Sequence, residues 1–452
     1  MGTRKQKERQ GDLWIAAQEI AETPGHVFYE RLDELLRVHK VDERVEKLCR
    51  RYYRGPLGRP SLPPSVYVRL LLIGYFEGID SERGIAWRVA DSLSLRRFIG
   101  YGLDEKTPDH STISRTRRLF WVSTHGAVFR WVLTILVEEG LLRGKTVSVD
   151  ATTLEANAAL RSIVRRDTGQ SYDDYVKGLA RAAGLEEPTR EQLARFDRKR
   201  KKKGSNQEWM SPHDPDARIT KMKNGRTHLA HKAEHAVDLE SGAIVALTLQ
   251  PADAGDTSTI LDTLAEAQNR LKAAGLPEVN ELVADKGYHS GEILEQLHQE
   301  EQVRTYIAEP DRGRRKWQGK KGQQQAVYAN RRRLQGDRSK QLHRKRAELS
   351  ERSNAHMYET GGMRRLHLRG RANILKRLLL QAAGFNLALV MRNHLGYGKP
   401  RQSVGTLLHL ITLMMALSGL ARTLLAGVIR FGQSIGSHRP ARPLPAAPVF
   451  TQ

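Results

Sequence analysis

Near residue 145 the spacing of apolar residues changes, and that change restricts the folds open to this chain. Before it the apolar residues recur at helical spacing. In "KTVSVDATTLEANA" (145–158) Val147 and Val149 alternate with polar residues, as in a half-buried strand, and Asp150 stands where the strand should end. Hairpin-ordered strands then give way to strands alternating with helices. That order specifies a mixed α/β sheet preceded by an all-helical region.

The helical part covers residues 26–140. "VYVRLLLIGYFEGI" (66–79) has a broad apolar face, Gly78 closes it, and Asp80 or Ser81 is placed to cap the next helix, "SERGIAWRVADSL". In "PDHSTISRTRRLF", Asp109, His110 and Ser111 are capping candidates for a helix that carries Arg115, Arg117 and Arg118. Arginines near a helix start suit a helix-turn-helix-like DNA-binding module. An ordinary bundle with a solvated basic face fits the pattern equally well.

After "TVSVD" comes a long polar excursion (156–226) holding "RKRKKK" at 198–203, whose first members are Arg198, Lys199 and Arg200. "AHKAEHAVDLESGAIVALTLQPA" resembles two strands joined by a turn at Glu240, Ser241 and Gly242. "TSTILDTLAEAQNRLKAAG" reads as an amphipathic helix ended by Gly275. "VNELVADKGYHS" is a strand with Asp285 just past its apolar run, and "VRTYIAEP" is a short strand stopped by Pro310. A very basic loop is expected over 312–346, including Arg314, Arg315, Arg331 and Arg332, with a helix beginning near Gln341.

With 75 Lys and Arg against 51 Asp and Glu, the net charge is +24. That excess points to a polyanionic partner: nucleic acid first, an anionic membrane surface second. Cys49 is the only cysteine, which excludes an intramolecular disulfide and a CxxC metal site and fits a cytoplasmic setting. The uncharged stretch Gln402–Ala421 reads as a packing or association helix rather than a membrane anchor, and the Pro/Ala-rich tail after it as disordered.

Asp150 and Asp285 share one setting, the end of an apolar strand. Adjacent strands would bring them side by side, where like charges ~4 Å apart repel by roughly 4 kcal/mol at an effective dielectric near 20. Such a pair calls for a proton or a cation, and hard divalent ions take oxygen ligands. A third acid should come from a helix packed on the sheet. Glu348 has Arg344 and Arg352 one turn away on either side, and Glu359 falls near a helix C-terminus; Glu351 has no local cation and is the choice. His228, His231 and His235 read as a solvated or DNA-facing set rather than a zinc site, and Trp209 and Trp317 as anchors of their loops.

Five ordered blocks resemble bacterial insertion-sequence transposases of the IS5/IS1182-like group, which have a DDE catalytic core. They are "VSVDATTLEANA", "DPDARITKMKNGRTHLAHKAEHAVDLESGAIVA", "GDTSTILDTL", "VADKGYHS" and "ERSNAHMYETGGMRRLHLRGRANILKRLLLQAAGFNLALVMR". "GRPSLPPSVYVRLLLIGYFEGIDSERGIAWRVADSLSLRRFIG" and "PDHSTISRTRR" are similar to the helical domain that precedes the core in that group. By position, Asp150, Asp285 and Glu351 match the three metal-binding catalytic acids. The resemblance implies an RNase H-like core and two Mg²⁺ or Mn²⁺ ions. It implies cleavage and joining of double-stranded DNA at terminal inverted repeats and target, by a homodimer in the synaptic complex. Arg352, His356 and Arg364, beside the glutamate, are placed to meet DNA phosphate. The expected organisation is a basic N-terminus (1–25), a helical DNA-binding domain (26–140), the catalytic domain (141–395) and a C-terminal association segment (396–452). A non-catalytic transposase-derived DNA-binding protein and a nuclease that cuts without joining are the alternatives.

Two departures stand out. Where the group has an apolar pair around "ER", this chain has Ser350 and Asn354, and the lysine that follows the glutamate is replaced near Tyr358. Two polar residues on a helix face that packs on a sheet are expected to weaken that packing.

Overall fold

The computed structural model describes residues 25–53, 61–200, 204–222, 225–311, 313 and 315–401. Lys201–Lys203, Arg314 and the 402–421 segment lie outside them.

Among the described residues seven α-helices come first: α1 (Val27–Val38), α2 (Val41–Cys49), α3 (Pro64–Glu77), α4 (Glu82–Ala90), α5 (Leu93–Phe98), α6 (His110–Leu119) and α7 (Val122–Glu138). Gly78 ends α3 at φ 71°, a left-handed conformation that glycine adopts without steric penalty. Ser81, not Asp80, caps α4 through its side chain, and Asp109 caps α6. α3 is buried almost all round, which accounts for its broad apolar face.

The main sheet contains β1 (Thr146–Glu155), β4 (Arg218–Lys221), β5 (Thr227–Asp238), β6 (Ile244–Pro251), β7 (Glu281–Ala284) and β8 (Arg304–Ile307). Its order is β4-β5-β1-β7-β8, and β6 also pairs with β5. β1 is the hinge of the design. It runs antiparallel to β5 and parallel to β7, so it joins the hairpin side of the sheet to the crossover side. The β5–β6 hairpin turns through Gly242 at φ 77°.

α10 (Asp256–Ala273) packs on β5 and β6, and α11 (Gly291–Gln299) links β7 to β8. On the other side α12 (Lys321–Leu334) leads into α13 (Asp337–Asn354), which continues as a π-helical turn, Ala355–Glu359. The expectation of a basic loop over 312–346 is therefore corrected: α12 and half of α13 occupy it. Arg, Lys and Gln are good helix formers, and their charge disguised a helical segment. The last helix among the described residues, α14 (Arg371–Leu395), packs on α3, α7 and β6. It is long and apolar enough to cross a membrane, but 89% of its apolar window is buried inside the protein.

The polar excursion is also structured. α8 (Tyr172–Ala182), α9 (Arg190–Lys199) and a ribbon of β2 (Val164–Arg165) with β3 (Trp209–Met210) close over a small core of their own. Trp209 is that core's centre, edge-on to Tyr172 and Tyr175, so it anchors the segment as expected.

Candidate active site

The β1–β7 register aligns Ser148 with Val283, and side chains two residues apart along a strand share a face. Two residues beyond that pair stand Asp150 and Asp285. Both acids thus emerge on the face covered by α13. There the Arg346 guanidinium lies between them, its Nη2 3.2 Å from Asp150 Oδ1 and 4.0 Å from Asp285 Oδ2. Asn354 Nδ2 donates to the other oxygen of Asp150 at 3.0 Å. β1 and β7 are neighbours, but the expectation that Asp150 ends its strand is corrected: pairing with β5 carries β1 on to Glu155, so Asp150 stands mid-strand, whereas Asp285 directly follows β7.

Ser350 and Asn354 do not leave the helix poorly packed. Ser350 is buried and its hydroxyl lies 2.9 Å from that of Ser148, the residue facing it on β1. The sheet is locally polar at the same point as the helix, so each hydroxyl replaces water for the other. Tyr358, near the place of the missing lysine, is buried and hydrogen-bonded to His235. Burial raises the pKa of its phenol and lowers that of His235 to about 3, so both are neutral groups at ordinary pH.

Glu351 is placed differently from the two aspartates. It follows the buried Ser350 by one residue and lies on the exposed flank of α13. Glu348 is exposed too and pairs with Arg352 at 2.6 Å, the helical ion pair expected of it; Glu359 pairs with Arg364. Among the described residues no group of three His, Cys, Asp or Glu side chains converges closely enough to hold a metal ion.

The turn that carries Asp285 is tied down from the opposite face of the sheet. Asp285 Oδ1 accepts from Gly287 N at 2.9 Å and opens a short 3₁₀ turn, Lys286–Tyr288. Tyr288 donates at 2.9 Å to Glu234, a fully buried carboxylate on β5 that also accepts from Thr259 and Thr263 of α10. Lys232 reaches Asp256 at 2.6 Å and Thr259 at 3.0 Å, closing the network. Burial pushes the Glu234 carboxyl up, against the pull of its donors.

Two of the three histidines correct a sequence expectation, while His228 stays partly exposed beside Glu155. All lie on β5, and His231 and His235 are 1% exposed, so neither faces solvent or DNA. His231 is within 3.0 Å of the buried Asp214. The alternation of β5 sends both to one covered face.

The basic candidates divide. Arg117 is buried, donates to Glu82 at 2.8 Å and so faces the core of the helical region, a correction to its expected DNA-facing role. Arg115, Arg118, Arg198, Lys199 and Arg332 are exposed. Arg200 pairs with Asp197, and Arg315 and Arg331 both pair with Glu309. His356 is half-buried against Phe385, and Arg364 reaches Thr152 of β1. Arg346 and Asn354 were not anticipated. Their signal was available: Leu342, Ser350, Ser353 and Asn354 are uncharged positions at helical spacing in a run otherwise dense in charge, and Arg346 falls on the same stripe.

The chain thus combines a helical region with a mixed sheet, and two aspartates on and beside neighbouring strands face one helix of the core. Residues 144–387 match the family of transposase DDE domains, and residues 17–119 match a transposase domain, DUF772. The chain belongs to the insertion-sequence DDE transposases, and its core is RNase H-like. The pairing of the two domains is consistent with the IS5/IS1182-like group. No curated protein and no solved structure matches the chain.

Proposed function

We propose that this transposase binds the terminal inverted repeats of its element, cleaves there and joins the freed end to target DNA. The observation that carries the reading is the pair Asp150, within β1, and Asp285, just after the neighbouring parallel strand β7, both within reach of one cation, Arg346. The donor chemistry fits a divalent ion. Both aspartates offer hard oxygens, and beside them Asn354 Oδ1 is buried with no hydrogen-bond partner. Asp150 and Asp285 would hold Mg²⁺ or Mn²⁺, with Glu351 as the third acid. When bound, such an ion activates the attacking oxygen and stabilises the leaving oxygen of a phosphodiester.

The chain's own residues orient the DNA. Arg346 and Asn354 fix the Asp150 carboxylate, while the Tyr288 tether fixes the Asp285 turn. Exposed Arg332, and Arg352 and Arg364 once drawn from their carboxylate partners, supply positive charge for the phosphates.

A labelled end fragment and a plasmid target, incubated with protein and Mg²⁺ or with chelator, test the reading. Cleavage and joining should require the metal, disappear in Asp285→Ala and Glu351→Gln, and survive in Glu348→Gln. A second reading, a non-catalytic DNA-binding derivative, draws on the engagement of both Asp150 oxygens by Arg346 and Asn354. It predicts tight binding without product in any variant, and that outcome would overturn the catalytic reading.

A further inference from the structure

α2 and α7 pack beside each other, and next to them opens a groove of about 700 Å³ lined by Arg44, Lys47, Leu48, Arg50, Arg51 and Trp131. Its floor is apolar, from Leu48 and the half-buried Trp131. Four cations surround that floor, and no carboxylate lines it. Among the described residues none of the four forms an ion pair with an acid. Two of the three acids of the same helix are engaged elsewhere, Asp42 accepting from Arg69 at 3.1 Å and Glu46 from Ser65 at 3.0 Å, while the third, Glu43, is exposed and outside the groove lining.

Four like charges around one groove repel each other, so their placement raises the energy of the free protein. An anion of matching extent removes that repulsion. Arg44 and Arg51 are seven residues apart, about 10 Å along a helix axis. That length spans roughly three nucleotides of one duplex strand. Arg51 is also held in place rather than swinging freely: its guanidinium lies 4.6 Å from the Trp121 ring and 5.0 Å from the Tyr52 ring, with Nη2 donating to Tyr52 Oη at 3.0 Å. Trp121 is itself 60% exposed, an aromatic surface at the edge of the basic patch.

We infer that this groove holds the phosphodiester backbone of DNA, with Arg44, Lys47, Arg50 and Arg51 on successive phosphates and Trp131 beneath the sugars. The inference rests on the reading of the chain as a DNA-acting transposase. It assigns the backbone contact of the helical region to α2 and the turn after it, away from the buried Arg117. Backbone contacts carry no sequence information, so element ends and unrelated target DNA should use the groove equally.

The test is the salt dependence of binding by the full chain to an end fragment and to an unrelated duplex of equal length. Each cation on a phosphate contributes about 0.9 to the slope of log K against log salt. Arg44→Ala/Lys47→Ala should therefore lower the slope by about 2 and the affinity roughly 30-fold near 0.15 M salt, on both duplexes. Lys272→Ala, an exposed cation on α10, should change neither, and unchanged thermal melting of the double variant shows that it is folded. A wild-type slope in Arg44→Ala/Lys47→Ala overturns the groove assignment even where Asp285-dependent joining is intact. Loss of binding to phosphatidylserine vesicles with DNA affinity unchanged overturns it in favour of a membrane surface. Conversely, the expected slope change in a protein that makes no joined product sustains the groove and sinks the catalytic reading.

Discussion

Removing one oxygen atom from the face of the sheet opposite Asp285 should disturb the site as much as a change beside it. Tyr288 is 1% exposed and its hydroxyl donates at 2.9 Å to Glu234, whose carboxylate is fully buried. Tyr288→Phe keeps the ring and its packing but takes one donor from that carboxylate. A hydrogen bond to a charged group contributes about 1.5–3 kcal/mol. Thr259 and Thr263 still donate to Glu234, so the loss should fall near the middle, about 2 kcal/mol. Because Tyr288 ends the same short turn that Asp285 begins, part of that loss should loosen the Asp285 carboxylate. Urea unfolding should show the stability change, and single-turnover cleavage at saturating DNA should show a rate reduced more than the affinity. The reasoning is refuted if Tyr288→Phe unfolds within about 0.5 kcal/mol of wild type, since Glu234 would then not depend on the tyrosine.

Two further outcomes follow from buried groups. His125 is buried beside Tyr67, and burial lowers its pKa to about 4. The unfolded chain therefore binds a proton that the folded one refuses, and stability that is complete above about pH 6.5 falls as the pH drops towards 4. Between pH 7 and pH 5 the loss from this group should be about 2 kcal/mol, and urea melts of His125→Gln should show a correspondingly flatter pH dependence. A variant with the wild-type slope would exclude His125 as the cause. For the Ser148–Ser350 pair, either single change to alanine should cost about 1–2 kcal/mol by stranding a buried hydroxyl, while the double change should cost less than the sum of the two. Strict additivity in that cycle would show that the hydroxyls do not depend on each other.

Features set by local spacing were legible in the sequence. The end of β7, the Gly78 stop, the Asp109 cap and the Gly242 turn each depend on residues within a few positions of one another. Asp150 and Asp285 stand out locally because each follows a short apolar run, but β1 continues to Glu155, and only its pairing with β5 reveals that Asp150 is a mid-strand residue. Burial of the histidines was not legible. "HLAHKAEH" is polar in composition, and only the docking of α13 and of the Asp214 segment over β5 removes His231 and His235 from water. Likewise, nothing within residues 312–346 says that a run of arginines and glutamines packs as α12 against β8; that requires Asn330 to bond Ile307 across the chain.

The Ser350 and Asn354 departures show why such a site resists reading one element at a time. Taken on α13 alone, two polar residues facing a sheet are a defect. Taken with β1, each meets a partner already present: Ser148 for one and Asp150 for the other. The same helix sends Arg346 to both aspartates and leaves Glu351 on its exposed flank, one residue beyond Ser350. One helical residue turns the side chain by ~100°, and the π-helical turn that begins directly after Asn354 changes that phase. Arg346, Ser350 and Asn354 stand four residues apart and so share the side of α13 presented to β1 and Asp150, whereas Glu351, one position on from Ser350, falls outside it.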